Sequence, residues 1–171
     1  MKKISLSVMS LIAGVMMVSC SSDDNNDNNS NRIEGTYTLR EFNTPQETDL
    51  NDDGTSNTNQ MNETTCYNNS KIDLRADQTF TYDVKQILIN NEGASSCTEY
   101  SVTGIWEASG SGNNAVLTLD YDNPNGDSET LVLNKEGNEL STSSILTQYP
   151  NGNQNDGYFY STGTVEWVFR R

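Results

Sequence analysis

The sequence contains no histidine, and it has only three prolines and three cysteines in 171 residues. Without histidine, Ser-His and Cys-His nucleophile systems are excluded, and so are His-ligated zinc and iron sites. No glycine-rich phosphate loop lies between a strand pattern and a helix pattern. Asp and Glu together number 24, but no two of them stand out as a glycosidase pair facing a cleft. We therefore expect a protein that is not an enzyme.

Long apolar runs are also missing after residue 18, so no later segment is apolar enough to cross a bilayer. The one apolar run, residues 4–18, is shorter than the roughly 20 residues that a spanning helix needs. Two lysines, Lys2 and Lys3, precede this run, and Ser19 and Cys20 follow it. This order of positive charge, apolar run and small residue predicts an export signal peptide over residues 1–19.

Cys20 directly follows a small residue at the end of the apolar run, and in this it resembles the lipidated cysteine of bacterial lipoproteins. The resemblance implies that residues 1–19 are removed and that Cys20 carries acyl chains such as palmitate. Several chains, each stabilised by ~0.8 kcal/mol per buried methylene, would hold the protein durably on a membrane. The alternative is an ordinary secretory signal with an incidental cysteine.

Residues 20–32 have the composition of a flexible tether, because after Cys20 the run SSDDNNDNNSN contains no apolar residue. Serines and aspartates directly behind a lipidated cysteine resemble the signal that sends lipoproteins of Bacteroidetes-type bacteria to the outer face of the outer membrane. That resemblance implies a lipid-anchored protein of the outer membrane, on the cell surface. The alternative is a plain spacer.

The formal net charge is −14, and loss of the two lysines of the signal peptide would make the mature chain −16. Such acidity argues against nucleic acid and against an anionic bilayer surface as binding partners. About 140 residues remain after the tether, which is enough for one domain over residues 33–171 and leaves no room for a second.

Cys66 and Cys97 are the two thiols that remain once Cys20 is lipidated. An exported chain meets an oxidising compartment, so we predict a disulfide between them. The alternative, a pair of metal-binding thiolates, lacks partner ligands because the chain has no histidine and no further cysteine.

Short runs of alternating apolar and polar residues recur between turn-rich stretches, and no run of ten or more has helical period. The pattern predicts about eight strands in simple succession, interrupted by a polar insertion from Thr44 to Glu63. The predicted strands begin at or near Gly35, Lys71, Thr79, Tyr100, Ala115, Glu129, Glu139 and Gly157. Such a chain can bury one face and remove its edges by closing into a single up-and-down antiparallel β-barrel.

The pattern over residues 33–171 resembles the lipocalin-like domains of Bacteroidetes lipoproteins. The resemblance rests on several short motifs: Gly35-Thr36-Tyr37, the insertion from Asp49 to Gly54, Cys66, the hairpin from Ala76 to Phe80, Gly104 to Trp106, and an aromatic last strand. Tyr37 stands where lipocalins proper carry tryptophan. The family implies a barrel with a cup-shaped cavity, and it specifies no ligand.

Aromatic residues at alternating strand positions have two interpretations, because they are equally suited to a packed core and to the wall of a cavity. They are Phe80, Tyr82, Trp106, Trp167 and Phe169. Three tyrosines, Tyr149, Tyr158 and Tyr160, border an Asn- and Gly-rich loop and predict a contact surface at the barrel mouth. We expect a non-catalytic domain that binds a small apolar molecule, a glycan or an envelope partner, with ligand-binding residues unassigned. The alternative is a structural or adhesive surface protein with a solidly packed barrel.

The insertion contains DLNDDGTSNTNQMNE, in which acidic and amide residues alternate as in a calcium loop of EF-hand type. The expected ligands are Asp49, Asn51 and Asp53, then the backbone carbonyl of Thr55 and the side chain of Asn57. The twelfth position departs from the pattern, because Gln60 replaces the bidentate glutamate; Glu63 could reach back only if the loop bends. The alternative is a plain solvated loop.

Overall fold

The structure is a computed structural model that describes residues 32–142, 145–153 and 155–171. The predicted signal peptide, Cys20 and nearly all of the predicted tether lie outside the described residues. No helix within the described ranges is long and apolar enough to span a membrane.

The described chain is built of antiparallel β-strands, and its helical content is a single 3-10 turn at Gln60–Asn62. The strands are β1 (Gly35–Thr48), β2 (Asn57–Asn59), β3 (Lys71–Leu74), β4 (Thr79–Ile89), β5 (Ser95–Ser111), β6 (Asn114–Asp122), β7 (Ser128–Glu136), β8 (Glu139–Thr142), β9 (Ile145–Asn153) and β10 (Gly157–Arg170). This confirms the predicted all-β class.

Eight of these strands close into a barrel, in the order β1-β3-β4-β5-β6-β7-β8-β10 and back to β1. Closure comes from the pairing of the first and last strands, in which Thr38 lies opposite Arg170 and Asn43 opposite Glu166. The short β2 pairs with the later part of β1. The last residues of β10 pair with β8, and the earlier part of β10 pairs with β9. The predicted up-and-down antiparallel barrel of eight strands is therefore confirmed.

Alternation of side chains places the predicted apolar face inside the barrel. In the β3–β4 hairpin, Ile72, Leu74, Phe80 and Tyr82 are buried as predicted, whereas Val84 is only half-buried. Burial of each large apolar side chain contributes roughly 1.5–3 kcal/mol relative to exposure.

Gly104 marks a point where two strands come unusually close. A Cβ atom on this residue would lie 2.0 Å from the backbone oxygen of Asp120 and 2.9 Å from the Phe80 ring. Glycine is therefore required here for β6 to pack against β5. The neighbouring Ile105 points outward and is exposed, whereas Trp106 is buried, as the alternation predicts.

Up-and-down succession places alternate connections at opposite ends of the barrel. One end carries the tight turns at residues 75–78, 112–113 and 137–138, together with the start of β1 and the end of β10. This end is closed by side chains: the Tyr37 hydroxyl donates to the Ile33 carbonyl at 2.8 Å, and Trp106 Nε1 donates to the Arg75 carbonyl at 3.1 Å. The Arg171 guanidinium lies 4.9 Å from the centre of the Tyr37 ring.

The opposite end is covered by residues 49–70, the connection from β1 to β3, which we call the cap. The predicted insertion from Thr44 to Glu63 is only partly an exposed loop: its first part continues β1, residues 51–56 are exposed, and Leu50, Gln60 and Glu63 are buried. The disulfide between Cys66 and Cys97 is present as predicted and fastens the cap to β5, with a Cα–Cα distance of 5.1 Å.

Candidate functional site

A cavity of about 230 Å³ lies inside the barrel at the end that the cap covers. Strands β1, β4, β5, β6, β7, β9 and β10 all contribute to its wall, together with the cap. Its apolar surface comes from Leu39, Phe42, Val84, Ile87 and Trp167. For comparison, an engineered cavity of about 150 Å³ lined by aliphatic and aromatic side chains binds benzene. The space is therefore large enough for a compound of one or two rings.

Tyrosine hydroxyls supply most of the polar chemistry of this cavity. Tyr82, Tyr100 and Tyr121 follow one another around the wall on β4, β5 and β6, and Glu129 of β7 lies beside them at the rim. The Tyr121 hydroxyl donates to Glu129 Oε2 at 3.3 Å. Among the described residues, no protein group forms a hydrogen bond with the hydroxyl of Tyr82 or Tyr100. These two hydroxyls are thus available to a ligand or to water.

These phenols are neutral at physiological pH, as tyrosines ordinarily are, and burial raises the pKa of each. Burial, followed by the Glu129 carboxylate, raises the pKa of Tyr121 to about 12. Burial also raises the pKa of Tyr82, with smaller contributions from Tyr100 and Tyr121. Burial and Glu129 also raise the pKa of Tyr100. A neutral phenol both donates and accepts a hydrogen bond, so the cluster can bind a ligand group of either kind.

Ion pairing distinguishes the two charged residues of the wall. The Lys85 ammonium lies 2.9 Å from a Glu99 carboxylate oxygen, so its charge is largely compensated. The Glu129 carboxylate accepts from the Asn123 side-chain amide at 2.7 Å and from Tyr121, and among the described residues it takes part in no salt bridge. The rim therefore presents negative charge next to aromatic faces, a combination that attracts a donor or a cation.

The cap holds a second polar cluster, which borders the cavity through Tyr67 and Pro150. The Gln60 side chain is completely buried, donates to the Pro150 carbonyl at 2.7 Å and accepts from the Tyr67 hydroxyl at 3.0 Å. The Tyr67 ring packs edge-on against Phe42 with ring centres 5.0 Å apart. Gln60 thus anchors the cap over the barrel, and it positions Tyr67 as one wall of the cavity.

The three tyrosines predicted to form a contact surface at the mouth have different roles. Tyr149 is buried, so its prediction as an exposed contact residue is wrong. The Tyr158 hydroxyl donates to the Leu50 carbonyl of the cap at 3.1 Å. Tyr160 lines the cavity, and its hydroxyl donates to the Ile87 carbonyl at 3.1 Å.

Of the five aromatic residues with two interpretations, Phe80, Trp106 and Phe169 belong to the core. Tyr82, which also belongs to the core cluster, and Trp167, which packs against it, line the cavity. Position along the barrel axis separates the two groups, because the half of the barrel away from the cap is filled by its own side chains. Sequence alternation marks which residues point inward, but it contains no signal for their depth.

The predicted calcium ligands fall in and beside one compact loop of the cap. The backbone amide of Asp53 donates to Asp49 Oδ1 and to Asn51 Oδ1, each at 3.1 Å, and the Thr55 amide donates to Asp53 Oδ1 at 2.8 Å. Asn57 lies at the base of the loop opposite Thr48, and its side-chain oxygen accepts from the Asn59 amide at 2.9 Å.

No group of three or more His, Cys, Asp or Glu side chains is arranged to hold a metal ion within the described ranges. Comparisons with known proteins do not identify a relative: no protein family, curated protein or solved structure matches this chain.

Proposed function

We propose that this chain is a lipid-anchored protein of the bacterial outer membrane, facing the cell surface, whose barrel binds a small amphipathic ring compound without catalysis. The observation that carries this proposal is the cavity of about 230 Å³ in which the Tyr82 and Tyr100 hydroxyls have no protein partner among the described residues. Ligand sites in proteins combine apolar walls with a few polar groups that orient the ligand, and this cavity has both.

The cavity dimensions and lining favour some ligand classes over others. A long acyl chain does not fit in a space of about 230 Å³, whereas one sugar ring or one substituted aromatic ring does. The aromatic faces of Tyr67 and Trp167 suit stacking on a ring, and the Glu129 carboxylate suits a hydroxyl or ammonium donor. We therefore expect a single-ring compound that carries a hydrogen-bond donor.

The anchoring part of the proposal rests on the sequence of residues 1–32, in which Cys20 follows an export signal and precedes a polar tether. The disulfide between Cys66 and Cys97 supports export, since disulfides persist in oxidising compartments.

Binding can be tested by native mass spectrometry of residues 32–171 exported to a periplasm, followed by titration with tyramine, phenol and glucose. Trp167 lines the cavity and Trp106 does not, so ligand binding should quench the fluorescence of Trp167. Val84→Phe fills part of the cavity, and we expect it to weaken binding at least ~10-fold, the factor that corresponds to about 1.4 kcal/mol.

Val132→Phe is the matched control, because Val132 is exposed on the outer face of β7 and the same atoms are added there. It should leave binding unchanged. If no compound co-purifies and none of the three probes binds, the ligand-binding proposal is wrong, and the structural or adhesive scaffold becomes the better description.

A further inference from the structure

The barrel wall opens on one side beyond β8. Strand β8 pairs with both of its neighbours, β7 and β10. The next strand, β9, pairs with β10 from Ile145 to Asn153, and no described residue of β9 pairs with β7. If the β7–β8 register continued, Thr130 would lie opposite Ile145, but this pair does not form. We call the gap between residues 128–130 of β7 and residues 145–149 of β9 the slot.

The β9 side of the slot is an open strand edge. The Pro150 carbonyl accepts the Gln60 side-chain amide at 2.7 Å, so the backbone polar group at this position points away from β10. Backbone groups alternate in direction along an antiparallel strand, and the β9–β10 register is unbroken. Leu146 and Gln148 therefore direct their N–H and C=O groups away from β10, and within the described ranges these groups have no backbone partner. Pro150, which has no N–H, ends the open edge.

The β7 side of the slot is open in the same way. Glu136 and Glu139 pair across the two-residue turn between β7 and β8, and in such a hairpin the residues next to the turn exchange backbone hydrogen bonds. The same direction recurs at every second residue, so Thr130 and Ser128 direct their backbone groups towards the slot. No backbone partner for these groups is present among the residues that the structure describes. Two unpaired edges thus line the slot, and unpaired edges are templates for another strand.

The chain around the slot is acidic. Residues 86–169, which include β5 to β9, contain eleven acidic residues and a single basic one, Lys135. Lys135 is only 1% exposed, and its ammonium donates to the Gly137 carbonyl at the far end of the barrel. Glu129 borders the slot, and no salt bridge of the described residues involves it. The local field therefore favours a positively charged occupant and repels an acidic one.

We propose that the slot binds an extended basic segment of another protein by β-strand addition. A strand placed between β7 and β9 forms main-chain hydrogen bonds with both open edges, and in complexes of this kind such bonds supply affinity. Its side chains alternate between the two sides of the wall. Inward side chains meet Glu129, which favours lysine or arginine there, and outward side chains lie beside Leu146, which is 73% exposed.

Two occupants that this protein could supply itself are disfavoured by charge. Residues 21–32 contain three aspartates and one arginine, and a second copy of the chain carries a net charge of −14. The slot also borders the cavity, because Glu129, Thr147 and Gln148 belong to the lining of that cavity. Strand addition uses backbone groups, however, and does not depend on the ring compound proposed above.

The test uses the full chain purified in a non-ionic detergent and a fluorescein-labelled hexapeptide in which lysine and valine alternate. Fluorescence anisotropy should rise as the chain is added, and a peptide with glutamate in place of lysine should bind at least ~10-fold more weakly. Methylation of alternate backbone nitrogens removes the donors for one edge, so the methylated lysine peptide should also bind at least ~10-fold more weakly. Bound lysine peptide should slow hydrogen exchange at the amides of Leu146 and Gln148, because these donors become paired.

Gln148→Pro removes one donor from the open edge and leaves the pairing with β10 intact, as Pro150 already does two residues later. It should bind the lysine peptide at least ~10-fold more weakly than Gln148→Ala, the matched control that loses the same side chain but keeps the N–H. Glu129→Gln should bind it at least ~3-fold more weakly than Glu136→Gln, which removes an equal charge from the far end of the same strand.

The proposal is overturned if the lysine peptide does not bind wild type, or if the glutamate or methylated peptide binds as tightly. Equal peptide affinity of Gln148→Pro and Gln148→Ala would overturn it as well. Sedimentation of the chain without peptide tests the remaining occupant: a dimer that forms in wild type and is lost in Gln148→Pro would mean that a second copy fills the slot, contrary to the proposal.

Discussion

Replacing both Cys66 and Cys97 by alanine should lower the free energy of unfolding by about 3.7 kcal/mol at 25 °C. The disulfide joins residues that are 31 apart in sequence. In the chain-entropy treatment, closing a loop of this length removes about 12 cal/mol/K from the unfolded chain. Cys97 is exposed and Cys66 is half-buried, so lost packing adds little to this value. The barrel itself should persist, because β4 and β5 remain paired along their whole register.

Urea unfolding of residues 32–171, followed by tryptophan fluorescence, measures the difference directly. For a domain of about 140 residues, a loss of about 3.7 kcal/mol corresponds to a fall in Tm on the order of 10 °C. Wild type treated with a reducing agent should behave like the double variant, and the oxidised wild type should not. A loss below about 1 kcal/mol would refute the reasoning, since it would mean that the disulfide restricts the unfolded chain far less than closure of a 31-residue loop predicts.

Three further outcomes are expected. Cys20→Ala should move the full chain from the detergent phase to the aqueous phase and remove the acyl mass; equal partitioning of variant and wild type would contradict lipidation. Leu117→Ala in the core should cost about 2–5 kcal/mol in urea unfolding, whereas Val116→Ala on the outer face of the same strand should cost less than about 0.5 kcal/mol. Tyr121, with a folded pKa of about 12 against the usual 10.0, favours its neutral form in the folded state, so its stabilising effect is complete below pH 10.0 and disappears as pH rises through 12. Glu129→Gln should lower that pKa in an absorbance titration at high pH, and an unchanged titration would show that burial alone is responsible.

The strand pattern was predictable because each strand has one buried face and one solvated face. Alternation alone identified Ile72, Leu74 and Phe80 as inward and Ile105 as outward, and the structure agrees at all four positions. The disulfide was predictable for a different reason, because only two cysteines remain for an oxidising compartment once Cys20 is set aside.

Side-chain alternation did not predict which residues of the polar insertion are buried. Nothing in the local pattern distinguishes Gln60 and Glu63 from exposed loop residues, yet both are buried in the cap. Their burial depends on contacts with distant parts of the chain, such as the bond from Gln60 to Pro150 across 90 residues. The sequence around Gln60 does not reveal such a contact. A polar side chain indicates that it needs a hydrogen-bond partner when buried, but not which distant residue supplies it.

The sequence by itself determined the class of fold, the number of strands in the barrel, the faces that they bury and the cysteine pair. These features follow from side-chain period and from the chemistry of single residues, which are local properties. Only the tertiary structure decided that Tyr82, Tyr100 and Tyr121 meet around one cavity and that Gln60 and Glu63 are buried in the cap. Closure of the barrel brings together residues from nearly every strand, and their depth along its axis depends on strand register, which a linear pattern does not encode.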